Sequence, residues 1–140
     1  MASRTTHLIM HVHRFLYRIS DGRLGSRLAG IPMLLLHTSG RKSGKEYIIP
    51  LAYHPHEDSF VVVASNEAQP KNPGWYFNVL ADESAKVQDG SSVIDVTARE
   101  VTGNERREIW TAALKTNPAW AGYAKKTDRT IPVIMLTPKS

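Results

Sequence analysis

The residues best suited to chemistry crowd into one short stretch, Gly40-Arg41-Lys42-Ser43-Gly44-Lys45. Cationic side chains and the backbone amides of a glycine turn can both face an anion, so the stretch reads as a cradle for phosphate or carboxylate. A P-loop would need four residues between its glycines and a Ser or Thr after the lysine. Here three residues separate Gly40 from Gly44 and Glu46 follows Lys45, which disfavours a nucleoside triphosphate. The same residues also make an ordinary solvated hairpin turn.

A second group follows at Lys71-Asn72-Pro73-Gly74-Trp75-Tyr76-Phe77-Asn78. It stacks three aromatics at a helix start, where free amides favour anions and Trp75 has the shape to lie against a planar ring. A capped core helix has the same composition. Trp120 and Tyr123 share a helix face and suit either a substrate pocket or a packing pair. His7 and His11 stand at i, i+4, and His54 and His56 form another pair, but no H-E-x-x-H motif joins them and no metal site is expected. The nucleophile elbow G-x-S-x-G is missing, its nearest approach being Gly40 to Gly44 with the wrong spacing. The chain has no cysteine, which excludes a thiol nucleophile, thiolate zinc and Cys-ligated iron–sulfur clusters. Redox chemistry would have to come from an organic cofactor.

The elements that must position these groups are short and alternate with turns. Leu8, Val12, Phe15, Leu16 and Ile19 form one stripe of an amphipathic helix over Thr5 to Ser20. Asp21-Gly22 ends it, and a Gly/Arg-rich connector runs through Gly30. Strands are expected at Met33 to His37 and Tyr47 to Tyr53, then a turn at His54 to Asp58, then a strand at Phe60 to Ala64. Asn72 as N-cap with Pro73 at the first helical position predicts a helix to Leu80, with Trp75, Val79 and Leu80 inward. Strands at Ala85 to Gln88 and Val93 to Val101 flank Asp89-Gly90. Thr102 and Glu105 predict a capping box for a helix to Thr116. A short helix from Asn117-Pro118 to Lys125 follows, then a turn in which Asp128 and Thr130 satisfy amides, and a last strand at Ile131 to Leu136. About six strands joined mostly by short turns predict an antiparallel, barrel-like α+β domain rather than a parallel sheet.

One hundred and forty residues suit one domain, here a helix and connector over 1–30 and a barrel over 31–138. The 18 Lys+Arg against 13 Asp+Glu leave a net charge of +5, which admits nucleic acid, anionic lipid or a polyanionic small molecule. The basic residues are spread, with no RNP-type strand or basic recognition helix, so nucleic-acid binding is not expected. No apolar run approaches a membrane span and no signal-peptide core is present, which predicts a cytoplasmic protein with at most peripheral membrane contact through its N-terminal helix.

The ordered set of motifs resembles the deazaflavin-dependent nitroreductase and quinone reductase family, split β-barrel enzymes that use coenzyme F420. The resemblance spans His13 to Pro138. It rests on Leu16 to Gly25, Leu34 to Gly44, Pro50-Leu51, Val63 to Ser65, Lys71 to Asn78, Thr97 to Arg99 and Thr127 to Pro132. It implies that Arg41, Lys42 and Ser43 hold the phosphate and oligoglutamate tail. It implies that Tyr47, Ile48, Ile49, Pro50, Leu51 and Ala52, with Val63, Ala64, Ser65 and Asn66, and Gly74, Trp75, Tyr76, Phe77 and Asn78, wrap the deazaflavin. Trp120 is placed near both cofactor and substrate, with Asn117, Tyr123 and Ser65 on the substrate, and Ser65 and Tyr123 as catalytic groups. The implied reaction is hydride transfer from reduced F420 to a small electron-poor acceptor, a quinone, nitroaromatic or activated alkene.

The chain departs from the family where Tyr47 replaces a frequent arginine and Trp120 a tyrosine. It departs again where Asn117 replaces a frequent aromatic, and where Asn66-Glu67-Ala68 stands for a basic residue or asparagine followed by Gly-Gly. The alternatives are an FMN- or haem-binding split barrel and a non-catalytic basic module docking on lipid or RNA. A polyanionic tail suits three cations better than the single phosphate of FMN.

Overall fold

The computed structural model describes Arg27–Leu28 and residues 30–139. The expected N-terminal helix, most of the connector, and the His7/His11 pair lie outside the described residues, and with them the expected membrane contact. In chain order the strands are β1 (Arg27–Leu28), β2 (Ile31–Ser39), β3 (Glu46–Ala52), β4 (His54–His56), β5 (Ser59–Val63), β6 (Ser84–Asp89), β7 (Ser92–Val101) and β8 (Val133–Pro138). The helices are α1 (Gly74–Ala81), α2 (Gly103–Thr116) and α3 (Ala119–Lys126), with a tight turn at Asn66–Ala68.

Every ladder is antiparallel, running β3-β2-β6-β7-β8-β5-β4. Tyr53 alone separates β3 from β4, so one bend joins the two ends of that ladder and the sheet curls into a split barrel. The pleat explains the packing, because successive side chains point to opposite faces. Phe60, Val62, Ile134 and Leu136 join Leu34, Leu36, Val87 and Val96 in the barrel core. Their neighbours Val61, Val63, Val133 and Met135 face the other way and meet Ile109, Ala113 and Trp120 of α2 and α3. Strands β5 and β8 are thus covered on both faces, which is why they are continuous apolar runs. Each such side chain contributes about 1.5–3 kcal/mol of burial.

Several expectations are corrected. The chain expected as a structureless connector contains β1, which pairs Leu28 with Ile31 across a turn where Gly30 has φ of 80°. His54 to His56 is a strand, and the turn is confined to Glu57 and Asp58. Helix α1 starts at Gly74 with no side-chain cap, because Asn72 instead accepts from Arg129. Leu80 is exposed while Trp75 and Val79 are buried. Thr102 precedes α2 as expected, yet no capping box forms, since Glu105 pairs with Arg99 at 2.7 Å. The turn before β8 is closed by Thr127, whose hydroxyl accepts from the Arg129 amide at 3.5 Å, rather than by Asp128 and Thr130.

Candidate active site

Strands β2 and β5 finish, and β3, β6 and β8 begin, at one end of the barrel, and α1 crosses that end on its way from β5 to β6. Trp75 and Val79 plug the barrel core from this helix. The hairpin that joins β2 to β3 carries Arg41, Lys42, Ser43 and Lys45, all exposed. Its shape is held locally: Gly40 N–H donates to Lys45 O at 2.7 Å and Gly44 N–H to Gly40 O at 2.8 Å. Gly44 takes φ of 71°, the left-handed region. A Cβ on Gly40 would lie 2.6 Å from the exposed Tyr47 ring and 2.8 Å from Ser43 Oγ, so a side chain there would displace both.

Asn78 fastens the hairpin to α1. Its side-chain oxygen accepts from the Arg41 amide at 3.2 Å and from Arg41 Nη1 at 3.1 Å, and its Nδ2 donates to Thr38 Oγ1 at 3.2 Å. The Arg41 guanidinium also lies 5.2 Å from the Phe77 ring centroid and donates to Gly74 O. These bonds use Nη1 and leave the Nε and Nη2 donors for a ligand. None of the ion pairs among the described residues involves Arg41, Lys42 or Lys45. Glu46 at the foot of the hairpin faces His37 at 3.4 Å, so the three cations leave this corner net positive, which fits a polyanionic tail. The exposed rings of Tyr47 and Phe77 flank it.

Among the described residues, β3 has a strand on one side only. Its inner edge pairs with β2 along Glu46 to Ala52, and no described strand pairs with its outer edge. Across the gap, β4 covers β5 only from Ser59 to Val61, so the edge of Val63 to Ser65 is likewise free of strand pairing. Ile48 to Ala52 are half-buried along one wall, with Ile49 and Leu51 packed on the barrel core. Val63 and Ala64 are buried and Ser65 half-buried on the other.

Beyond Ser65 the backbone turns left-handed at three successive residues, Asn66 (φ 46°), Glu67 (φ 53°) and Ala68 (φ 64°). Asparagine tolerates this region, whereas Glu and Ala are strained there by about 1–2 kcal/mol each. The resemblance implies Gly-Gly at those two positions, which this backbone would suit. Glu67 is exposed, so its carboxylate is screened by solvent. Arg129 fixes the arch from beneath, through Ala64 O, Ser65 O, Gln69 O and Asn72 Oδ1. Asn72 and Gly74 thus tie the arch and the cationic hairpin to points two residues apart, at most about 7 Å along the chain.

The remaining expected residues are placed differently. Trp75 is a core residue, 5% exposed, and offers no free face to a ring. Trp120, 4% exposed, is wedged in the outer core with Ile131 and Val133. Asn117 is buried and accepts from the Ala119 amide at 3.2 Å, capping α3. Tyr123 is half-buried on the same helix, which packs against the arch. Tyr76 donates to Glu100 at 2.6 Å, and burial with this bond pushes its phenol up to about 12. Sequence reasoning missed Arg129, whose only signal is its place in Thr127 to Pro132, and Thr38, which looks like one more strand residue. A cleft of about 250 Å³ lies beside the same hairpin, but Glu46, Asp82 and Asp95 in its lining suit a polyanion poorly, and it includes none of the expected site residues.

The curled antiparallel sheet has the split β-barrel fold of the pyridoxamine-oxidase-like proteins. The profile of the F420H(2)-dependent quinone reductases matches residues 9–138, and the chain belongs to that family. It is an F420-dependent oxidoreductase, with coenzyme F420 as its cofactor. It is 33% identical over 133 residues to an F420H(2)-dependent quinone reductase of Mycobacterium tuberculosis, covering 92% of this chain and 89% of the relative. A solved F420-H2 dependent reductase is 42% identical with a TM-score of 0.70, covering 80% of this chain and 99% of the other. A structure described as a domain-swapped dimer is 39% identical with a TM-score of 0.72, covering 96% and 99%.

Proposed function

We propose that this protein transfers a hydride from reduced F420 to a small electron-poor acceptor: a quinone first, and also nitroaromatics and activated alkenes. The observation that carries this reading is the convergence, at one barrel end, of a cationic hairpin whose Arg41, Lys42 and Lys45 form no ion pair among the described residues with a seam between β3 and β5 that no described strand fills. Bound reduced F420 supplies the hydride from a ring carbon. The protein's own part is to grip the tail, align the ring and complete the proton balance.

Arg41 and Lys42 neutralise the tail, with Ser43 as a neutral donor. The wall from Tyr47 to Ala52, the edge from Val63 to Asn66 and the start of α1 from Gly74 to Asn78 set the position of the ring. Ser65 donates to the acceptor oxygen as negative charge develops there. One proton must accompany the hydride to give a quinol, and Tyr123, Ser65 or water delivers it. Asn117 and Trp120 serve the acceptor side indirectly, by capping α3 and wedging it against the outer core.

The test is steady-state turnover of F420H2 with menadione, read at the cofactor's absorbance band. Ser65→Ala and Tyr123→Phe should lower kcat by about ten- to a hundredfold while leaving the KM for F420H2 within about twofold. Full turnover in both variants would remove them from the chemistry. Absence of turnover by the wild-type protein with every acceptor class would remove the reaction itself.

A further inference from the structure

Arg129 makes contacts that a solvated turn residue does not need. It stands between α3 and β8, half-buried. Its Nε donates to Gln69 O at 3.0 Å, Nη1 to Asn72 Oδ1 at 2.6 Å, and Nη2 to Ala64 O at 3.2 Å and Ser65 O at 2.8 Å. All four acceptors are neutral, and none of the ion pairs among the described residues involves Arg129. A full positive charge is thus held against two consecutive peptide units at the end of β5.

The peptide plane carries that charge into the seam. In a trans unit the C=O and N–H point in opposite directions, and none of the described peptides is cis. With the guanidinium on the Ala64 and Ser65 oxygens, the N–H groups of Ser65 and Asn66 point away from it. The ladder agrees: Ala64 N–H faces β8, bonded to Pro132 O at 2.9 Å. Alternation then turns Ser65 N–H to the opposite edge, which β4 leaves open beyond the His54–Val61 pair. A cation on the oxygen polarises each unit and strengthens its donor end. Ser65 is right-handed at φ −72° and ψ −34° and Asn66 left-handed at φ 46°, the succession that gathers amides into an anion-binding concavity.

We propose that Arg129 is a positioning residue that aims the polarised Ser65 and Asn66 amides at the electronegative edge of the F420 ring. This inference rests on the F420 assignment, and it gives the left-handed arch a purpose that packing alone does not supply. Lysine cannot substitute, because its donors radiate from one nitrogen and do not span four separated acceptors.

Two measurements test it without turnover: F420 affinity by fluorescence quenching, and the absorbance of the bound cofactor titrated with pH. Amide donors favour the ionised ring, so the wild-type protein should bind F420 and displace its ionisation to lower pH than in free solution. Arg129→Lys should weaken binding by about tenfold or more and abolish most of that displacement. Asn72→Ala, which removes one acceptor, should move both readouts the same way by less. Arg41→Ala should weaken binding while keeping the displacement. The proposal is overturned if Arg129→Lys, folded by circular dichroism, keeps wild-type affinity and displacement, or loses affinity with the displacement intact. Should Arg129→Lys not fold, Asn72→Ala decides by the same two readouts, and an unchanged displacement counts against the proposal. Failure of the wild-type protein to bind F420 would instead overturn the assignment beneath it.

Discussion

Arg41 shows how one side chain serves two partners. Its Nη1 and backbone amide are spent on Asn78, while the rest of the guanidinium faces outward beside Lys42. Arg41→Ala and Lys42→Ala should each raise the KM for F420H2 by about tenfold, with kcat changed less than about twofold, since tail contacts are the same in ground and transition states. A large fall in kcat with unchanged KM would place these residues at the reacting atoms. The cationic hairpin is legible in the sequence because its residues are contiguous. Arg129 is not, because its acceptors come from Ala64, Ser65, Gln69 and Asn72, some 57 to 65 positions away.

At the scale of elements, the helices that flank the barrel are held by contacts with little local signature. Trp120 reads from the sequence as a pocket aromatic, yet it is the wedge between α3 and the outer faces of β5 and β8. Trp120→Ala should therefore destabilise the protein by about 3–5 kcal/mol in urea unfolding, a core effect. A change under about 1 kcal/mol would return Trp120 to a ligand-facing role. Strand β4 is tied to α2 by His54, whose Nδ1 lies 2.7 Å from Thr116 Oγ1. Burial, and then the charge of His56, hold the His54 pKa below its ordinary 6.5. The folded state thus favours neutral His54. Its contribution is present above pH 6.5 and is lost as pH falls through the lowered folded value. The melting temperature should drop on that acid side, and His54→Gln should flatten the drop.

At the scale of the whole molecule, the net charge of +5 and the net positive hairpin should steer an anionic cofactor toward the seam. The association rate of F420, followed by stopped-flow quenching, should fall as salt rises. That dependence should be weaker in Arg41→Ala, because exposed charges are screened beyond about 8–10 Å. A salt-independent rate would exclude steering. The described residues contain no helix long and apolar enough to cross a membrane.

Read alone, the sequence determined the longer strands, the three described helices, the absence of cysteine chemistry, the cationic hairpin and, through its ordered motifs, the family, while the short strands β1 and β4 read as connector and turn. Each of these depends on neighbours along the chain: period-two alternation, turn residues, caps and contiguous charge. Only the tertiary structure decided that β3 and β4 bend at Tyr53 to leave a seam, that Trp75 and Trp120 are core, and that Arg129 grips the end of β5. Those outcomes depend on which distant segments meet, and a residue's type does not reveal whether its partner will be solvent, a core or a backbone carbonyl brought back by the closing of the barrel.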